Sequence, residues 1–303
     1  MAVYVVGDFL RETRMRKGYM QEEVSYGICT AASLSRIENG AQKPGRLIME
    51  KLFERLGTEN NLFNSFVSRE EMELYSAIQE LIRNVTDAEI DKIYKQILIV
   101  EKLTENTSDL ERQCLLFAKG ELIKRKEKDY STAIEWLMKA IHITLPDFDG
   151  ENPLRNNLLT FDEIMIINGI AILHAKSGNV MTAIQLDMWL KEYMEDKIVD
   201  GTMKKAKYPM IIYNLSNWFG NKQCHTEALK LADEGINFCV KYGNLVILPS
   251  LILNKGVALV ELGDIDDARK YLHQAITIFD VMKKEETIQS VLDWCKTRYN
   301  LEI

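Results

Sequence analysis

The sequence predicts an all-α protein, a compact set of short helices followed by a long array of paired helices. Three observations carry this. The 303 residues include only 5 Pro and 16 Gly, too little punctuation for a many-turned β protein. Apolar residues recur at helical spacing along most of the chain. Small residues return at intervals of 40 to 50 positions, the mark of a structural repeat. A 47% hydrophobic and 27% charged composition is ordinary for a globular protein, and this length admits one to three domains.

The first 67 residues read as short helices. A helix over 4–17 places Val6, Phe9, Leu10 and Thr13 on one face and stops at Gly18. A second spans 21–26. Thr30 caps a third over 31–39, closed by Gly40. Pro44 precedes a fourth over 47–56, ended by Gly57. Two short helices joined by a tight turn fit a helix-turn-helix. This segment holds nine basic and eight acidic residues, while the remainder holds 29 basic and 37 acidic ones. A locally balanced end on an acidic body is compatible with nucleic-acid binding by that end only.

Gly7, Leu10, Arg11, Arg14, Lys17-Gly18, Gln21-Glu22-Glu23-Val24, Leu34-Ser35-Arg36-Ile37-Glu38-Asn39-Gly40 and Pro44 resemble the Xre/Cro helix-turn-helix family. Met20 stands where that family usually has a capping Thr. The turn Gly27-Ile28-Cys29-Thr30 is one residue shorter than in most members, a form similar to the PlcR/Rgg (RRNPP) peptide-sensing regulators. The resemblance implies a DNA-binding set of Gln21, Thr30, Ala31, Ala32, Ser33, Arg36 and Lys43. Gln21 would reach a phosphate and a base edge. Residues 30–33 would enter the major groove, and Arg36 and Lys43 would hold phosphates. Arg14 and Glu38 would form an internal ion pair. The two alanines cannot donate hydrogen bonds from their side chains, so readout would rest on Gln21, Ser33, thymine methyls and DNA shape.

From residue 68 onward four segments align on a small residue with a second small or apolar residue seven later: Ala133 and Ala140, Ala183 and Leu190, Ala228 and Gly235, Ala268 and Ala275. Each follows a short loop, and before each loop lies another helix, over 114–126, 161–176, 209–219 and 248–262. The pattern resembles tetratricopeptide repeats, best at Gly256 to Ala275. The expected architecture is therefore an N-terminal helix-turn-helix domain, 1–67, followed by a tetratricopeptide-like α-solenoid, 68–303. Within it, 68–104 would be a degenerate first pair and 285–303 a capping helix.

Such repeats line a concave groove with their first helices. Asn168, Asn214 and Asn254 lie 15, 14 and 14 residues before Ala183, Ala228 and Ala268. Asn is a mediocre helix former, so its recurrence needs a reason. One reading is a ladder of amides that pairs with the backbone of an extended peptide, with Tyr213 and Asn217 beside it. The other is that these amides brace loops within the solenoid.

Catalytic chemistry is not indicated. No metal-ligand spacing, phosphate-binding glycine loop or nucleophile elbow occurs, so no enzyme activity, metal or cofactor is expected. The five cysteines are scattered and read as reduced core residues. No apolar run reaches the roughly 18 residues of a membrane helix. Resemblance to the PlcR/Rgg group implies a cytoplasmic, homodimeric transcription regulator. It would bind a double-stranded operator with an inverted repeat, and its repeat domain would bind a short signalling peptide in quorum-sensing fashion. A groove that binds a protein partner is the alternative. The dimer interface is expected between residues 272 and 299, through Ile276, Phe279, Val291 and Trp294.

Overall fold

The computed structural model describes residues 6–58, 69–85, 88–104, 108–154, 157–196 and 201–299. Among them are fifteen helices and no strand. The expected helix start at residue 4, the expected division at 67/68 and the end of the expected cap at 303 lie outside the described residues. By its contacts the chain groups into two compact units, Met1–Gly201 and Thr202–Ile303.

In the first unit, α1 (Val6–Arg16), α2 (Gln21–Ser25), α3 (Ala31–Glu38) and α4 (Arg46–Arg55) close on one core. Leu10, Val24, Leu34, Leu52, Phe53 and Leu56 are fully enclosed there. Leu110 and Leu158, from far along the chain, complete the same core. The N-terminal helices are thus seated on the helices that follow. These are three antiparallel pairs: α5 (Arg69–Asn84) with α6 (Ile90–Leu103), α7 (Asp109–Lys126) with α8 (Tyr130–Ile141), and α9 (Phe161–Lys176) with α10 (Val180–Asp196).

The second unit holds α11 (Gly201–Asn221), α12 (His225–Tyr242), α13 (Leu248–Leu262), α14 (Ile265–Val281) and α15 (Glu285–Tyr299). The sequence placed the start of α11 at Pro209, but the helix runs through it. A proline removes the bond to the carbonyl four residues back. Here that carbonyl, Lys205 O, accepts instead from the Asn244 amide at 3.0 Å.

Both units share one repeat device. The aligned small residues Ala133, Ala140, Ala183, Ala228, Ala268 and Ala275 are buried, where helices approach most closely. Five positions before each lead alanine the backbone turns left-handed: Lys128, Gly178, Gln223 and Gly263, at φ 55°, 92°, 62° and 87°. Two of the four are glycines, which take this conformation without a Cβ penalty.

Candidate functional site

The third helix is built as its sequence indicates. The Thr30 side chain accepts from Ser33 N–H at 3.1 Å and so caps α3. Its hydroxyl donates to Ser33 Oγ at 3.0 Å. Ala32 and Arg36 are exposed; Ala31 and Ser33 are half-buried. Arg36 donates to Gln42 Oε1 at 3.0 Å and to Ser33 Oγ at 3.1 Å. Lys43 lies exposed in the loop beyond. The Arg14–Glu38 ion pair is present as two bonds, 2.7 and 2.9 Å. Its hydrogen bonds raise the Arg14 pKa above the usual value. Gln21 turns inward, donating to Glu38 Oε2 at 2.7 Å. Met20 offers no side-chain cap to α2, but its N–H donates to Glu23 at 2.6 Å, recovering part of the missing cap.

Behind α3, helix α4 meets the start of α9 in a network of charges that the sequence reading did not single out. Arg55 Nη2 lies 2.7 Å from Glu163 Oε1, and both side chains are 0% exposed. The same guanidinium donates to Tyr26 O, where α2 ends. Lys51 lies 3.0 Å from both Glu54 and Asp162. Glu54 accepts from Phe161 N–H at 2.9 Å, and Glu163 accepts from Thr160 N–H at 2.6 Å. The first turn of α9 is therefore capped from within and from α4. Burial pushes the Glu54 carboxyl up to about 7 against the pull of Lys51. Burial alone would lower the Lys51 pKa, but Asp162, Glu54 and Glu50 together hold it well above its usual value. Gly27, left-handed at φ 68°, lets the chain pass against Thr144: a Cβ there would sit 2.1 Å from Thr144 O. The legible signals were the Thr160-to-Glu163 capping box and the placement of Lys51 and Arg55 four residues apart.

The three asparagines do not share one environment. Asn168, in the first unit, is buried and donates to both Asp187 oxygens at 3.0 Å. In the second unit, Asn214 is also buried. Asn254 is half-buried and donates to Tyr213 O at 3.4 Å.

Within the second unit a groove of about 790 Å³ opens between α11, α13 and α15. Tyr213, Asn217 and Asn254 line it, and Asn214 does not. Leu253, Val257, Val291 and Trp294 supply its apolar wall. Among the described residues, its ionisable groups besides the tyrosines are His225, Glu261 and Arg298, all missed in the sequence. Glu261 Oε1 accepts from Arg298 Nη2 at 3.0 Å and from the Tyr299 hydroxyl. His225 Nε2 faces Glu261 Oε2 at 3.9 Å. These donors, Tyr299 first, lower the Glu261 pKa below its ordinary value. The i, i+4 pair Trp294 and Arg298 at the end of α15 was the available signal. Phe279 and Val291, expected at a dimer interface, are buried inside this unit instead. Val291 packs with Leu272 and Cys295, while Ile276 and Trp294 flank that cluster. They complete the core of the terminal repeat.

Among the described residues no group of three or more metal-ligating side chains is assembled, and no helix is long and apolar enough to cross a membrane.

This architecture defines the class as a tetratricopeptide-type α-solenoid carrying an N-terminal four-helix bundle. The tetratricopeptide repeat family matches residues 249–279, which span most of α13 and α14. In fold the chain resembles Bacillus thuringiensis PlcR. The structure of PlcR in complex with the peptide PapR7 and DNA aligns with a TM-score of 0.62 at 19% identity. That alignment covers 96% of this chain and 99% of that one. The apo form of PlcR aligns with a TM-score of 0.60 at 18% identity, over 95% and 98% of the two chains. At such identity the likeness is one of fold. A search by sequence finds no matching curated protein.

Proposed function

We propose that this chain is a cytoplasmic, non-enzymatic transcription regulator of the PlcR/Rgg kind. Its helix-turn-helix binds double-stranded DNA through Gln21, Thr30, Ala31, Ala32, Ser33, Arg36 and Lys43. Its repeat groove binds a short signalling peptide, with Asn254, Asn217 and Tyr213 facing the ligand. The groove carries this reading. Its volume falls in the roughly 300–1,000 Å³ range of small-ligand pockets, which suits a short peptide better than a folded protein partner. The fold shared with PlcR, whose structure was determined with a peptide and DNA, supports it. The Gln21 amide gives one N–H to Glu38, and its second N–H and its carbonyl oxygen remain for DNA. An inverted repeat demands two copies of α3 related by a two-fold axis, hence a homodimer.

Selection of bound sites from random duplexes by the full-length protein tests the DNA half. The expected outcome is an inverted repeat with half-sites one helical turn apart, about 10–10.5 bp, or a multiple of it. No preferred site in that selection would overturn this half of the reading.

A further inference from the structure

Resting on that peptide reading, we propose that the α15 end of the groove is a carboxylate subsite. Arg298 receives the C-terminal carboxylate of the ligand there, and Trp294, Val291 and Val257 hold the apolar side chain beside it.

The two charged partners at this end differ in how many of their hydrogen bonds are already used. Glu261 is an anchor whose side chain is 22% exposed. Its Oε1 accepts from both Arg298 and Tyr299, and its Oε2 faces His225. Arg298 is the opposite case: its side chain is 60% exposed, and its Nη2 donates to Glu261. A guanidinium carries five N–H donors in a planar fork. Fixing one of them to Glu261 sets the orientation of the plane and leaves donors for a second carboxylate. The Trp294 and Tyr299 rings, 5.9 and 5.5 Å from the guanidinium carbon, hold it from the side.

The sign of the ligand charge follows. An ammonium would have to approach Glu261 beside a guanidinium and displace bonds already made. A carboxylate meets spare N–H donors, and among the described residues the acidic side chain lining the groove, Glu261, is already paired with Arg298. The position of the carboxylate follows as well. Trp294 and Arg298 are one helical turn apart, so an apolar side chain and a carboxylate must reach them from neighbouring atoms. A C-terminal residue carries both on one Cα. The amides of Asn254 and Asn217 then remain for the peptide backbone further along the groove.

The experiment uses immobilised full-length protein and two mixed-sequence heptapeptide libraries, one of free acids and one of C-terminal amides, with bound peptides read by mass spectrometry. Free acids ending in large apolar residues should be enriched about ten- to a hundredfold over their amides, as loss of a charge-assisted bond implies. Arg298→Gln should reduce the acids to the level of the amides, and Arg298→Lys should keep part of the preference. Trp294→Ala should blur the choice of last residue while the demand for a free carboxylate persists. Circular dichroism confirms that the variants fold. Equal recovery of acids and amides by the wild type, or enrichment of internal Asp or Glu without regard to the terminus, overturns the subsite and leaves peptide binding standing. No enrichment from either library removes the peptide reading and the subsite with it.

Discussion

The α4–α9 network and the α11–α13–α15 groove are built from the same materials, Arg, Glu, aromatic and aliphatic side chains, with opposite results. Around Arg55 and Glu163 the charges are enclosed and paired within the fold, with the Arg55 Nε alone of that pair's polar atoms left without a hydrogen bond. Around Arg298 and Glu261 only the carboxylate is satisfied, and the guanidinium keeps donors facing solvent. Buried ion pairs rarely add net stability, because desolvation offsets their attraction, but they punish any change of partner. The first arrangement therefore fixes how the N-terminal bundle sits on α9. The second holds one side chain in place without exhausting it, which is what a binding site needs. Asn168 and Asn254 repeat the contrast at one repeat position: the first is consumed by Asp187, and the second borders the groove.

Single substitutions can break this comparison, and the largest effect is expected at the enclosed network. Arg55→Ala or Glu163→Ala should each cost about 3–5 kcal/mol, because a buried charge loses its partner. Joint replacement by Met and Leu should cost less than either. Urea unfolding of the full chain measures both. Equal costs for Arg55→Ala and Arg298→Ala would erase the distinction drawn above.

Next in size is the asparagine contrast. Asn168→Ala leaves the Asp187 carboxylate buried without these two bonds, at about 1–3 kcal/mol. Asn254→Ala should leave stability within about 0.5 kcal/mol and weaken the enriched free-acid peptides by roughly fivefold, about 1 kcal/mol. A stable Asn168→Ala chain would return that residue to the amide ladder.

The network should also respond to pH. The Glu54 carboxyl lies near 7 in the folded chain against an ordinary 4.5. Between those values the folded chain keeps a proton that the unfolded chain has released. The contribution of this group to stability is thus complete below about pH 4.5 and lost as pH rises through 7. Glu54→Gln should flatten that part of the stability profile, read by denaturant midpoints from pH 4 to 8. A variant profile parallel to the wild type throughout would exclude Glu54 as its source.

The smallest effect on folding is expected on α3. Arg36 is exposed, so Arg36→Ala should leave the unfolding midpoint in place. It should weaken binding to all duplexes alike and lower the salt slope by about one. Ser33→Ala should instead relax base preference. A sequence-selective loss in Arg36→Ala would make Arg36 a base contact.

Much of this molecule is legible in its amino-acid sequence. The helix spans, the Thr30 cap and the buried small residues of each repeat depend on neighbours a few positions away or on a repeated motif, whereas the Arg14–Glu38 pair, 24 positions apart, was implied by the resemblance to the Xre/Cro family. The exceptions have physical causes. Pro209 looked like a helix start, because the rescue of its freed carbonyl by Asn244 lies 39 positions from Lys205. Phe279 and Val291 looked like interface residues, because an apolar face does not state whether a neighbouring helix or a second chain will cover it. Arg55, Glu163 and Arg298 were ordinary helix-surface charges by type and spacing.

By itself the sequence determined the class of fold, the order of the helices and the places where they touch most closely. Periodicity, capping and residue size act over one or two turns and need no knowledge of the rest of the chain. Only the tertiary structure decided which charges are buried together and which remain available. It alone separated Asn168 from Asn254 and turned one N–H of the Gln21 amide onto Glu38. Those outcomes depend on side chains brought together from 17 to 108 positions apart, where desolvation and hydrogen-bond competition, rather than local propensity, set the result.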